Sequence, residues 1–123
     1  MSKRILVVED HEDNRQILRD LLGASGYEMI EAHDGLAAHP TASAEKPDLI
    51  LMDIQLPGLD GYEATRRIKA DPALAATPII AVTSYALSGD EEKARLAGCN
   101  AYVAKPYSPR QLLAKIREFL PTP

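Results

Sequence analysis

Four apolar runs in this chain each stop on a residue that can bind or exchange charge. Ile5-Leu6-Val7-Val8 stops at Glu9 and Asp10, and Leu49-Ile50-Leu51-Met52 stops at Asp53. Ile79-Ile80-Ala81-Val82 stops at Thr83, and Ala101-Tyr102-Val103-Ala104 stops at Lys105, which Pro106 follows. As strands of one open parallel sheet, their carboxyl ends would form the edge where such sheets bind ligands. Three carboxylates, a hydroxyl and an ammonium would then share one rim. Clustered oxygen acids suit a divalent cation, and a hydroxyl and an ammonium beside them suit a phosphoryl group.

The elements needed to hold these residues alternate along the chain. The patterning predicts strands near 3–8, 27–31, 48–53, 78–83 and 100–105, and helices near 13–25, 35–45, 61–70, 88–98 and 109–120. Five such alternations predict an α/β fold with a parallel sheet. The first, third and fourth strands are apolar on both faces, as buried central strands are. The second, Tyr27-Glu28-Met29-Ile30-Glu31, carries charge and reads as an edge; the fifth reads as the other edge. The predicted order is 2-1-3-4-5, a flavodoxin-like, doubly wound sheet in which strands one and three are neighbours. Glu9, Asp10 and Asp53 would then converge.

Helix starts are marked by cap patterns. Ser88 with Glu91 and Ser108 with Gln111 have capping-box spacing, with Pro109 at the first helical position, and Asp60 with Glu63 and Asp13 with Gln16 are related patterns. Ile17, Leu18, Leu21 and Leu22 form one apolar stripe, and Leu112, Leu113, Ile116, Phe119 and Leu120 another. Pro40 falls inside the second helix and is expected to kink or shorten it. His39-Pro40 has no evident chemical role, and His11, His33 and His39 read as surface residues rather than metal ligands.

The bulk numbers narrow the function. A chain of 123 residues is expected to make one domain, 1–123, with no linker and no output segment. One cysteine, Cys99, excludes an internal disulfide and fits a buried, inert thiol in the cytoplasm. No apolar run approaches the roughly 20 residues of a membrane span, and the N-terminal run is too short for a signal peptide. A net charge of −4 argues against direct nucleic-acid binding. Residues 1–61 carry 12 acidic and 5 basic side chains, whereas residues 62–123 carry 6 and 9. An acidic cation site in the first half and a partner face in the second would give that split, as would scatter on a solvated surface.

Taken singly, Asp10 is explained as a helix cap, Thr83 as a strand terminator and Tyr102 as a packing residue. Together the motifs are specific. Val7-Val8-Glu9-Asp10, Leu51-Met52-Asp53-Ile54-Gln55-Leu56-Pro57-Gly58, Val82-Thr83-Ser84 and Lys105-Pro106, in that order, resemble the CheY-like receiver domain of two-component response regulators, from Lys3 to Leu120. The wording of the Asp53 segment and of Gly98-Cys99 is most similar to single-domain regulators of the DivK type.

The resemblance implies roles. Asp53 would accept a phosphoryl group from a histidine kinase or a histidine phosphotransfer protein. Asp10 and Asp53 would bind Mg²⁺ directly with the Gln55 main-chain carbonyl, and Glu9 would act through bound water. Lys105 would pair with the phosphoryl oxygens, Thr83 would hydrogen-bond one of them, and Tyr102 would be the aromatic that turns inward on activation. The output would be a changed surface at helix four, strand five and helix five, read by a downstream protein, with the chain a monomer or weak dimer. Mg²⁺ prefers oxygen and keeps several waters, so two or three protein ligands suffice. Phosphoryl transfer needs positioning and charge neutralisation above all. Lys105-Pro106 is a candidate cis peptide, because only X-Pro bonds adopt that form cheaply.

The chain is expected to be a phosphoacceptor switch rather than an enzyme. A haloacid-dehalogenase-type phosphohydrolase would place a second aspartate where this chain has Gln55, which cannot transfer protons. A flavodoxin-like FMN carrier would need a polar phosphate loop where this chain has Glu9-Asp10-His11-Glu12-Asp13. A receiver excised from a hybrid kinase is a third alternative, which the Met1 start disfavours. Gln55 and Tyr85, neither a carboxylate base, predict a comparatively long-lived phosphoryl group.

Overall fold

A computed structural model of the chain describes residues 3–56, 58–83 and 90–120. The sequence expectations for Pro57, Ser84, Tyr85 and the Ser88 cap fall outside the described residues. Among those described, the elements run β1 (Arg4–Val8), α1 (Glu12–Ala24), β2 (Glu28–Ala32), α2 (Gly35–Glu45), β3 (Leu49–Asp53), α3 (Gly61–Lys69), β4 (Ile79–Thr83), α4 (Asp90–Ala97), β5 (Ala101–Ala104) and α5 (Pro109–Phe119). The strands form one parallel sheet in the order β2-β1-β3-β4-β5, as expected.

Strand alternation divides the core into two layers. Ile5, Val7, Leu49, Leu51, Ile80 and Val103 meet Leu18 and Leu22 of α1 and Leu112 and Ile116 of α5 on one face. Leu6, Val8, Ile50, Met52, Ile79 and Ala81 meet Ala38 and Ala42 of α2, Ala64 and Ile68 of α3 and Ala94 of α4 on the other. Each fully buried Leu or Ile contributes roughly 1.5–3 kcal/mol relative to exposure. The central strands lie between these layers, which is why β3 and β4 are apolar at nearly every position. β2 forms one edge and leaves Glu28 exposed; the four-residue β5 forms the other. No helix among the described residues is long and apolar enough to cross a membrane.

Most caps match their sequence signatures. Ser108 and Gln111 form both bonds of a capping box, with Pro109 in the first turn, and the Asp60 carboxylate accepts the Glu63 N–H at 2.9 Å. Asp13 does not cap α1. The helix begins at Glu12 after His11, which makes no side-chain cap bond, and Glu12 and Asp13 occupy the first turn, where the helix dipole favours acids.

Pro40 does not shorten α2, which runs unbroken from Gly35 to Glu45. Pro40 is exposed, so solvent can serve the carbonyl it leaves without a donor, while buried Ala38 and Ala42 pin the opposite side. His39 has a role the sequence did not reveal, its Nε2 lying 2.9 Å from Asp71 Oδ2 across to the loop after α3. Ile17 departs from its predicted stripe. Leu18 and Leu22 are buried, but Ile17 is 60% exposed.

Candidate functional site

Parallel register assembles the rim. Val8 pairs with Met52, so the next residues, Glu9 and Asp53, emerge side by side on the α1–α5 face. Asp53 pairs with Val82, and the Ile54 N–H extends that ladder to the Val82 carbonyl at 3.0 Å. The Lys105 N–H binds the Thr83 carbonyl at 2.7 Å, fixing the root of its side chain one strand further. The Lys105–Pro106 peptide is cis.

The start of α3 packs against the same strand end. The Gly61 N–H donates to the Ile54 carbonyl at 3.0 Å, and a Cβ at position 61 would stand 2.4 Å from the Asp53 carbonyl oxygen. Only glycine fits there without displacing the backbone that carries Asp53.

The charged groups interlock. Lys105 Nζ lies 3.2 Å from Glu9 Oε1 and 3.4 Å from Asp53 Oδ2, between the two acids. Asp53 Oδ1 accepts the Gln55 N–H at 2.9 Å. Glu9 Oε2 accepts the His11 N–H at 3.1 Å, and its Oε1 also accepts from Asn14 Nδ2 at 3.3 Å. Glu9 and Asp53 are both buried.

Their acidities diverge accordingly. Burial pushes the Asp53 carboxyl up to about 6; the Gln55 N–H opposes this, and the neighbouring Glu9 reinforces it. Burial also acts against ionising Glu9, but the His11 N–H and the Lys105 ammonium outweigh it and hold Glu9 below the usual glutamate range. Burial works against the Lys105 ammonium as well, yet Asp53 and Glu9 raise it above an ordinary lysine. The ammonium stays charged and favours the ionised form of whichever acid it faces.

Several participants were not legible in the chain. Arg15 is buried and donates through Nη1 to the Glu9 carbonyl at 2.9 Å and through Nη2 to Glu12 Oε2 at 2.7 Å, bracing the β1–α1 turn from beneath. Asn14 reaches back to Glu9, and Tyr107 lines the wall beside Lys105, its hydroxyl pKa raised by burial. These contacts depend on side chains folding back over a turn, which local spacing does not encode; the acids at 9, 12 and 31 were the available hint that Arg15 has partners nearby. A cleft of about 500 Å³ opens on the α1 side, lined by Asn14, Ile17, Lys105, Pro106 and Tyr107, and it accounts for the exposure of Ile17.

Thr83 and Tyr102 lie one strand over. Thr83 is buried at the end of β4. Tyr102, paired with Ala81, is half-buried against the α2–α4 layer. By alternation Thr83 shares the face of Ala81, so Thr83 and Tyr102 belong to one side of the sheet. Cys99 is buried as expected; burial raises its thiol pKa, with the Thr65 hydroxyl 3.7 Å from its sulfur.

The donor set suits a hard cation. Asp10 Oδ1 is shut away from solvent and accepts no hydrogen bond among the described residues, though His11 Nδ1 lies 3.2 Å away; a bound ion would satisfy such an acceptor. The tightest group of candidate ligand atoms, all within 4.8 Å of one another, is Glu9, Asp10 and His11. Asp53 lies outside that group and is tied to it through Lys105 and Glu9.

The family relationship follows from this arrangement and from independent matches. A model of the response regulator receiver domain matches residues 5–117. The polar-differentiation response regulator DivK of Brucella anthropi is 48% identical over 120 residues, covering 98% of each chain, and DivK of Brucella ovis matches to the same extent. Among solved structures, the receiver domain of the sensor histidine kinase PA1611 from Pseudomonas aeruginosa, with a magnesium ion coordinated in its active-site cleft, superposes with a TM-score of 0.90 at 39% identity, covering 97% of this chain and 98% of that one. The chemotaxis protein CheY4 of Vibrio cholerae gives a TM-score of 0.92 at 26% identity, covering 98% of this chain and 100% of that one. A buried strand-end aspartate facing a lysine and an acidic pair, on a 2-1-3-4-5 sheet, thus sits in a chain that belongs to the receiver domains of two-component response regulators.

Proposed function

We propose that Asp53 is the phosphoacceptor of a stand-alone signalling switch, charged by a histidine kinase or a histidine phosphotransfer protein. The carrying observation is Lys105 Nζ lodged between Asp53 Oδ2 and Glu9 Oε1, with the enclosed Oδ1 of Asp10, the next residue after Glu9, accepting no hydrogen bond among the described residues. A carboxylate oxygen of Asp53 attacks the phosphorus of a phosphohistidine. The new O–P bond forms as the P–N bond breaks, and the imidazole leaves with that electron pair. Asp10, Asp53 and the Gln55 main-chain carbonyl would hold Mg²⁺, with Glu9 acting through water. When bound, Mg²⁺ neutralises charge on the transferring phosphoryl oxygens. Lys105 then turns from the two carboxylates to a phosphoryl oxygen, and Thr83 donates its hydroxyl to another. The Gln55 carboxamide cannot act as a general acid or base, so self-hydrolysis is slow and the chain acts as a switch rather than a turnover enzyme.

The output is a surface. With Thr83 drawn toward the phosphoryl group, Tyr102 turns inward from β5 and changes the face made by α4, β5 and α5, which a downstream protein reads. α4 suits a moving element, because small side chains, Ala94 and Ala97, anchor it while Leu96 is exposed. DivK relatives matched along 98% of their length support a stand-alone receiver. A lone buried thiol suits a cytoplasmic setting.

The test is incubation with acetyl phosphate and Mg²⁺, followed by intact mass measurement. Wild type should gain one phosphoryl group and Asp53→Asn none. Equal labelling of the two would overturn the assignment.

A further inference from the structure

We propose that His11 joins Asp10 as a ligand of a divalent cation at this rim, that Glu9, which would act on Mg²⁺ through water, contacts such a cation directly, and that the His11 ring tilts the site from Mg²⁺ toward borderline cations such as Zn²⁺ and Co²⁺; the proposal rests on the strand-end carboxylates being a cation site. His11 Nδ1 lies 3.2 Å from Asp10 Oδ1 and 3.4 Å from Glu9 Oε2. Ligand atoms about 2.0–2.2 Å from one metal stand roughly 3.0–3.5 Å apart when they subtend angles between octahedral and tetrahedral. The His11 distances fall in that interval, so a cation could sit among the three groups with small side-chain adjustments.

Glu9 Oε2 accepts the His11 main-chain N–H at 3.1 Å and keeps a second lone pair for an ion. Lys105 and Asn14 both occupy Glu9 Oε1, so Oε2 faces His11. Asp10 Oδ1 accepts no hydrogen bond among the described residues, although it is enclosed and His11 stands beside it. The His11 side chain is 70% exposed, so the ring can turn to meet an ion without repacking the core. An ordinary ion pair between protonated His11 and the two acids is the competing explanation of the same distances, and it predicts no change in metal preference when the ring is removed.

The chemistry of the donor set sets the direction. Mg²⁺ takes oxygen ligands and water, whereas Zn²⁺ and its neighbours accept imidazole nitrogen readily. Neutral imidazole is the commonest protein ligand for such metals. Carboxylates alone already bind first-row cations, so the informative quantity is the ratio of Co²⁺ to Mg²⁺ affinity and how His11 alters it.

Metal-free full-length wild type, His11→Asn, Asp10→Asn and the control His33→Ala would be titrated with Mg²⁺ and with Co²⁺ by calorimetry, and the visible absorption of bound Co²⁺ recorded. His11→Asn should lower Co²⁺ affinity by tenfold or more, change Mg²⁺ affinity less than twofold and alter the Co²⁺ spectrum; His33→Ala should match wild type. Unchanged Co²⁺ affinity and spectrum in His11→Asn, with Asp10→Asn still weakening both metals, would refute ligation by His11 and leave the cation site standing. If Asp10→Asn also leaves both metals unaffected, the cation site itself is refuted, and the His11 proposal with it.

Discussion

In its proposed role Asp53 would have to be buried to be held in place and ionised to attack, and its environment sets these requirements against each other. Its carboxyl titrates near 6 in the folded chain, against 3.8 in the unfolded one. Between those values the folded form keeps a proton that the unfolded form has released. The raised pKa therefore favours folding at low pH, and that contribution is lost as pH rises through about 6. Glu9, whose pKa is lowered, has the opposite sign: its contribution is present above its unfolded value of 4.5 and lost as pH falls. Comparing wild type with Asp53→Asn isolates the first effect. Without divalent metal, Asp53→Asn should be more stable than wild type by on the order of 1–3 kcal/mol at pH 7.5, with little difference at pH 4. Urea denaturation in chelator at the two pH values measures both, and a stability gap that does not shrink at low pH would mean the ionised Asp53 carboxylate is not strained.

At the scale of elements, helix α2 shows how tertiary packing overrides a local rule. Pro40 sits in its interior without a backbone donor, and the helix persists because Ala38 and Ala42 are buried on the other side. Proline in a helix interior costs about 3 kcal/mol relative to alanine, partly offset by the freedom alanine restores to the unfolded chain. Pro40→Ala should therefore stabilise the protein by about 1–2 kcal/mol, read as an increased melting temperature with unchanged phosphorylation.

The same comparison shows what the chain made legible. β1, β3 and β4 were readable because a strand buried on both faces must be continuously apolar, and the meeting of Glu9, Asp53 and Lys105 was readable because they follow or end such strands. Ser108 and Asp60 were readable because their caps are local. Asp13 as a cap, Ile17 as a core residue and Pro40 as a residue that shortens its helix were misjudged, since each outcome depends on which neighbour covers that part of the helix. Arg15, Asn14 and the His39–Asp71 bond could not be read at all, because each joins residues whose proximity only the folded chain creates.

For the molecule as a whole, the proposed switch would run from the Asp53 rim through β4 and β5. Thr83 and Tyr102 occupy the same side of those strands, and α4 is the weakly anchored element beside them. On that proposal a phosphoryl group at Asp53 would shift the population of Tyr102 only by the free energy with which it prefers one state over the other, and the Thr83 hydroxyl would supply part of that preference. Thr83→Ala should still accept phosphate on Asp53 but lose most of the phosphorylation-induced change at Tyr102 and α4. Amide hydrogen exchange on α4 and aromatic NMR signals of Tyr102, with and without phosphorylation, would read this; an unchanged response would place the coupling elsewhere.

The two edges of the sheet have a bearing on how densely such a protein can be stored. Each outer strand carries backbone groups able to recruit a strand from another copy. Here β2 presents exposed Glu28, and β5 is four residues long and ends at Lys105-Pro106. Short, charged or proline-terminated margins discourage growth of the sheet between molecules. Both margins thus carry features that disfavour fibrous association between copies. Glu28→Val would remove a gatekeeping charge on the longer margin, and light scattering on concentrated samples should then register aggregation at a lower protein concentration than in wild type.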